Sequence, residues 1–466
     1  MCTPFRGDKE TQYALRSTDL ESLSKEYGFE LQVLPNGVYD LDQAQSAAAE
    51  LQDWEADLIL LQTSSFAPGE LIYPLWDLPS RLGLWAVPEG PPSEEGGLPL
   101  NSFTATNMYN SIIGTIKQDH HRPVKWFYGS PGQEFFDERL KITIQALTAE
   151  VNVRGATVGL IGGVAPGFHN LIIDDAKLFE RLGVHVIAVE LGDVIRKAKA
   201  YAEDQVRPVR ETIRSATKFF DETQVAALDK TGRVVLALQD LADRLSLSAL
   251  AISCWPRFQE DYHLAVCGVI AQLNEMGTVA ACEGDVTSAV SMLTLKALSS
   301  DTTTTLMDLS AIDEEDQSIL LWHCGPTAPS LADEQGVQMG SLWLFDGYEG
   351  DPIGLSNDMV LKAGRATVMG YSTDFDHMLV LDGVFDPEKP SYRGSRGWMK
   401  SLRLNGQELI VRDLVETLMN ANFQHHYPVA YGDLTDVALE LGAWLGIQPI
   451  ERKPYSPRLT WQSEIS

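Results

Sequence analysis

The feature that most constrains this chain is an alternation of short apolar runs with longer amphipathic stretches, sustained over its first two-thirds. Residues 57–62, 82–87 and 124–128 have the length and apolar density of buried strands, and 41–54, 107–116 and 134–150 carry helical periodicity. Parallel strands cannot be joined by a tight turn and need a crossover of about a dozen residues or more. The alternation therefore predicts βαβ units and mostly parallel sheet. The pattern restarts at 156–161 and continues through 184–189, 249–254, 278–282, 304–308 and 319–323. Beyond residue 330 the texture changes to Gly-rich, alternating runs at 341–345, 365–371 and 378–383, followed by two short helical patterns at 408–419 and 434–445. The expected fold class is α/β. Two Rossmann-like domains occupy 1–152 and 153–330, and a C-terminal antiparallel β-rich, barrel-like domain occupies 331–466.

Charge and cysteine usage narrow the function. Among 466 residues, 36 Lys and Arg stand against 65 Asp and Glu, a formal charge of -29. Such a surface opposes binding to a phosphate backbone or an anionic membrane, so neither nucleic acid nor membrane is an expected partner. No apolar run reaches the ~18 residues of a membrane helix, and the first residues lack the apolar core of a secretory signal. The cysteines, Cys2, Cys254, Cys267, Cys282 and Cys324, are odd in number and form no CxxC pair. That pattern fits a reducing cytoplasm better than a disulfide or structural zinc framework.

Open α/β sheets place their chemistry at the C-terminal ends of parallel strands. Glu283 stands there, after the apolar run 278–282 and just before a helix that Asp285 could cap. Asp308 ends the run 304–308, in a setting where Asp is uncommon. His425-His426 precedes the apolar stretch 427–431. Each has a plain reading as turn, strand end or packed imidazole. Adjacent strand residues face opposite ways, so at most one of the two histidines should join a given site. Two carboxylates with one imidazole suit Mn²⁺ or Mg²⁺ better than zinc. A carboxylate beside such an ion can take a proton from a carbon next to a carbonyl. The glycine-rich stretch 159–167 follows a strand but is not GxGxxG, and Pro166 interrupts it, which disfavours nicotinamide binding. The run 254–263, with Trp255, Arg257 and Gln259, mixes aromatic, amide and charged groups as a sugar-facing wall would. His323, in Trp322-His323-Cys324-Gly325, could edge a site, without the partners of a cysteine nucleophile. Asp313-Glu314-Glu315-Asp316 reads as a solvated turn.

Taken in order, several stretches resemble the L-fucose isomerase/L-arabinose isomerase superfamily, specifically its fucose isomerase-like proteins, among which some act on sulfoquinovose. They are 98–102, 125–129, 159–168 with Asp174, Cys254-Trp255-Pro256, Ala281-Cys282-Glu283-Gly284-Asp285, 321–325, and His425-His426-Tyr427 through Gly432-Asp433. The resemblance implies aldose–ketose isomerisation with Mn²⁺, or alternatively Mg²⁺ or Co²⁺. It also implies a homo-oligomer, hexameric or trimer-based, with active sites between subunits. By position Glu283 and Asp308 match the family's catalytic, metal-binding carboxylates and His426 its imidazole ligand, while His425 stands where Asn is common. The remaining candidates for substrate contact are Trp255, Arg257, Gln259, His323, His425 and Arg6. The expected reaction passes through a cis-enediol on an L-fucose- or D-arabinose-like aldose or a sulfosugar; the alternative is an isomerase specifically of sulfoquinovose to 6-deoxy-6-sulfofructose. A sulfonate would need local cations, for which Arg257, Lys125, Arg122 and Arg365 are available. The rival of another class is a non-catalytic sugar-binding protein on the same scaffold.

Overall fold

The computed structural model describes residues 5, 7–92, 94, 96–116, 122–299, 302–341 and 353–459. Arg6 and the stretch 342–345 therefore lie outside the described residues. The chain divides into two compact units, Met1–Leu147 and Thr148–Ser466, with the division inside the helix Glu134–Val153.

The first unit contains a three-stranded, all-parallel sheet of β1 (Leu58–Thr63), β2 (Arg81–Ala86) and β3 (Val124–Tyr128), in that order. All three strands lie where the apolar runs place them. Leu82 and Leu84 are buried with residues of the helices Leu41–Asp53 and Ser102–Ile116, whereas Trp85 and Phe127 are buried with Leu20, Leu23, Phe136 and Leu140. The Leu98-to-Ser102 stretch is pinned from below. The Glu89 carboxylate accepts the Leu100 amide at 3.1 Å, and Ser102 Oγ accepts the Val87 amide at 2.9 Å.

The second unit holds a four-stranded parallel sheet and a larger, mainly antiparallel one. The parallel sheet comprises β4 (Thr157–Ile161), β5 (His185–Val189), β6 (Ala249–Ile252) and β7 (Val279–Ala281), in the order β5-β4-β6-β7. The chain reverses its direction of travel across the sheet between β4 and β6. In such sheets that switch point is where a ligand crevice opens. The larger sheet contains β8 (Thr304–Asp313), β9 (Ser318–His323), β10 (Gly364–Tyr371), β11 (His377–Asp386), β12 (Ser395–Leu404) and β13 (His426–Tyr431). These pair antiparallel in the cyclic order β10-β13-β8-β9-β12-β11 and back to β10, closing a barrel.

The runs at 304–308 and 319–323, expected to extend the parallel series, are barrel strands instead. Apolar density alone does not separate a parallel strand from a barrel strand buried on both faces. The helix Val286–Leu298 joins the two sheets. It is buried on almost every side and packs on β7 and β6 at one face and on β13 and β10 at the other. A helix apolar all round demands that environment. Two of its hydroxyls bond to its own carbonyls, Ser291 to Thr287 at 2.8 Å and Thr294 to Val290 at 2.9 Å.

Candidate active site

The site assembles where the C-terminal end of β7 meets the first residues of β13. Glu283 follows β7 in a left-handed conformation, φ 60°, and Gly284 repeats it at φ 72°. A non-glycine residue held there is strained, and such strain concentrates at functional positions. Gly284 has no room for a side chain. A Cβ would lie 2.8 Å from Val164 Cα and closer still to the Gly163 carbonyl oxygen. The Ala165 amide donates to the Glu283 carbonyl at 2.9 Å. The glycine-rich loop after β4 is thus the buttress of the Glu283 turn.

Barrel register brings the other two groups together. His426 and Asp308 are direct partners across β13 and β8, so their side chains share a face. Asp308 lies within β8, so it is not a strand-end residue turning into a loop. A register irregularity in the β8–β9 ladder sets Trp322 opposite Asp308 and brings His323 to the rim, a common use of bulges beside sites. His426 Nε2 lies 3.4 Å from Glu283 Oε2 and 3.8 Å from Asp308 Oδ1.

Asp285 fixes the chemistry of His426. Asp285 is the N-cap of Val286–Leu298, accepting the Ser288 amide at 2.9 Å on one oxygen and His426 Nδ1–H at 2.8 Å on the other. Both side chains are wholly buried. With Nδ1 protonated toward Asp285, neutral His426 presents a lone pair on Nε2 to two carboxylates. The tautomer is assigned from this hydrogen bond. Asp308 Oδ1 is buried without a hydrogen-bond partner. The Nε2 lone pair thus faces two carboxylates, one of them with a buried oxygen that no donor meets, an arrangement that a cation or a proton would relieve. Burial pushes the His426 pKa down, but the Asp285 hydrogen bond and charge, with Asp308 and Glu283, outweigh it and raise the value. Burial likewise opposes ionisation of Asp285, but its bonds from His426 and Ser288 win and lower its pKa.

His425 joins the same site, contrary to the expectation that only one of the pair would. It precedes the first ladder residue, so strand alternation does not bind it. The Asn170 amide donates to its Nδ1 at 3.1 Å, and its Nε2–H donates to Glu283 Oε2 at 3.2 Å. Phe168 stacks on the His425 ring at 5.5 Å and meets Trp255 edge-on at 6.4 Å, forming an aromatic wall. Trp255 is partly exposed there. Arg257, half exposed, pairs with Asp261 at 3.2 Å. Gln259 is buried with its amide donating to the Cys254 carbonyl at 3.1 Å, so it braces the loop from inside. His323 is buried, its Nε2 3.1 Å from Cys282 Sγ.

Reasoning from sequence missed Phe168, Asn170 and the second role of Asp285. A ligating histidine nearly always gives its other N–H to a carboxylate or carbonyl. A buried acid near Glu283 was therefore the signal to look for.

No helix among the described residues is long and apolar enough to cross a membrane. No family model matches the chain. A sulfoquinovose isomerase of Alkalicoccus urumqiensis is 29% identical over 409 residues, covering 86% of this chain and 88% of that one. A sulfoquinovose isomerase of Priestia aryabhattai is 28% identical over 423 residues, covering 88% and 89%. A third, of a Clostridium species, is 26% identical over 376 residues, covering 78% and 79%. Over most of its length the chain is thus similar to enzymes named sulfoquinovose isomerases, a likeness that points to an aldose–ketose sugar isomerase.

Proposed function

We propose that this protein is a divalent-cation-dependent aldose–ketose isomerase of the cytoplasm that converts sulfoquinovose to 6-deoxy-6-sulfofructose through a cis-enediol. The observation that carries this reading is the placement of His426 Nε2 between Glu283 and Asp308, in a chain similar to sulfoquinovose isomerases. The fit to a cation rests on Asp308 Oδ1, a buried acceptor without a hydrogen-bond partner. Glu283, Asp308 and His426 would hold the ion, and two carboxylates with one imidazole favour Mn²⁺. When bound, the ion would polarise the sugar carbonyl and acidify the C2 proton.

The chain's own residues do the rest. Of Glu283 and Asp308, one takes the proton from C2 and gives it up to water, the other relays a proton from water to C1, and the hydroxyl proton of O2 passes to O1. The hydrogen bond from His425 orients Glu283, and Asp285 holds His426 in the tautomer whose Nε2 is free. Phe168 and Trp255 offer apolar faces to the sugar C–H groups. Arg257 is the cation assigned to the sulfonate. Arg257 pairs with a half-exposed Asp261, whereas Arg365 is committed to buried Asp382, Arg122 donates to the Trp76 carbonyl at 2.8 Å and Lys125 to the Arg139 carbonyl at 3.2 Å. On this reading 1–152 is one Rossmann-like portion, the second ends before the barrel strand Thr304–Asp313 that carries Asp308, 331–466 supplies the imidazole, and a homo-oligomer completes the sites. The test is an aldose panel including sulfoquinovose, L-fucose and D-arabinose, run on chelated protein with and without added Mn²⁺. Ketose from sulfoquinovose only with metal supports the reading, whereas no ketose from any sugar sinks it.

A further inference from the structure

Three donor sets overlap at His426. Two contain Glu283: the proposed holders Glu283, Asp308 and His426, and the group Glu283, His425 and His426, whose ligand atoms lie within 4.8 Å of one another. The third, soft one is Cys282, His323 and His426, whose ligand atoms also lie within 4.8 Å of one another. His323 decides whether the third can hold a metal. Its Nδ1 accepts the Cys324 backbone N–H at 2.8 Å. A ring nitrogen that accepts a hydrogen bond carries no proton, so the single proton of a neutral imidazole must sit on Nε2. Nε2 is the atom that faces the site, and with a proton on it no lone pair remains for a metal. His426 is the reverse case, with Nδ1–H given to Asp285 and Nε2 left free. The two rings lie nearly parallel with centroids 5.8 Å apart, so one cluster holds both tautomers side by side. The buried His323 Nε2–H meets Cys282 Sγ at 3.1 Å, and a thiol is a weak acceptor. A buried donor with so poor a partner is under-satisfied, and an oxygen would serve it better.

We propose that His323 stands outside the ligand set as a neutral Nε2–H donor to the sugar oxygen on which negative charge develops during enolisation. This deepens the proposed function and rests on its reading of Glu283, Asp308 and His426 as the cation's holders. A donor already oriented in a buried site stabilises such charge at little reorganisation cost.

The test uses the metal-stripped full chain and Mn²⁺, with free ion followed by electron paramagnetic resonance, in the parent and in His323→Gln, His323→Ala and His426→Gln. Both His323 variants should bind Mn²⁺ within about threefold of the parent, while His426→Gln weakens binding by about tenfold or more. Turnover should fall about 100-fold in His323→Ala with little change in KM, and His323→Gln, whose amide N–H falls near Nε2, should recover part of it. Loss of Mn²⁺ in His323→Ala equal to that in His426→Gln would make His323 a ligand and overturn the proposal, as would unchanged turnover. Nitrogen-15 imidazole spectra of the metal-free parent should show His323 protonated at Nε2, and a proton at Nδ1 would overturn the assignment whatever the variants do. Failure of the parent itself to take up Mn²⁺ would remove the cation reading underneath, an outcome visible in the parent titration alone.

Discussion

Asp285→Asn separates the structural from the electronic role of a single buried carboxylate. Asn keeps one acceptor oxygen, which can still cap the helix through the Ser288 amide, now 2.9 Å from Asp285 Oδ1. The other oxygen becomes an NH₂ group facing His426 Nδ1, 2.8 Å away. Two donors cannot share that contact, so the imidazole moves its proton to Nε2 and turns an N–H toward Glu283 and Asp308. Restoring the ligating tautomer would set donor against donor in a fully buried place, at about 1–3 kcal/mol. The expected result is a 10–100-fold loss of Mn²⁺ affinity, roughly what disruption of a ligand's supporting partner produces, and a matching loss of activity. Stability should hardly change, because the cap survives. Asp285→Ala loses both, about 1 kcal/mol for the cap and about 1–3 kcal/mol for the orphaned Nδ1–H, and should melt markedly earlier. Mn²⁺ titration beside thermal unfolding reads both quantities. Parent-like Mn²⁺ binding in Asp285→Asn would refute the tautomer argument, and equal destabilisation of the two variants would reduce Asp285 to a cap.

Three further outcomes follow from the same geometry. Glu283→Gln should lower turnover by more than about 100-fold with the circular dichroism spectrum unchanged, and retention of more than a few per cent of activity would count against its role. Gly284→Ala, which forces a methyl group toward the Gly163 carbonyl and Val164 Cα at φ 72°, should cost about 2–4 kcal/mol in urea unfolding. A parent-like midpoint would mean that the loop after β4 yields freely. Arg257→Ala should reduce kcat/KM for sulfoquinovose by about tenfold or more and leave an uncharged aldose unaffected, and an equal effect on both sugars would remove Arg257 from sulfonate binding.

Much of the secondary structure was legible because a buried strand and an amphipathic helix write different periods into the chain. The strands β1 to β7 all fall on runs that apolar density marks, and 124–128 matches β3 at both ends. What the sequence does not carry is pairing. Thr304–Asp313 looks like another member of the parallel series until its partner is known, and only the ladder with His426–Tyr431 reveals it as a barrel strand. The same long-range pairing makes the site, since Asp308 and His426 are far apart in the chain and adjacent in the sheet. Glu283 was conspicuous because a carboxylate after an apolar run needs a reason. Asp285 hid behind a sufficient explanation, helix capping, and its second contact depends on a residue from another sheet. His425 was misjudged by applying strand alternation to a residue that lies just before the strand.

The central claim is cation-dependent proton transfer on a sulfosugar. Its most direct test is to incubate the protein, stripped of metal and then reconstituted with Mn²⁺, with sulfoquinovose in D₂O and to follow the sugar by NMR. The product should be 6-deoxy-6-sulfofructose carrying solvent deuterium at C1, with no ketose while a chelator is present. Ketose formed equally well under chelation, or ketose with no deuterium at C1, would contradict the claim.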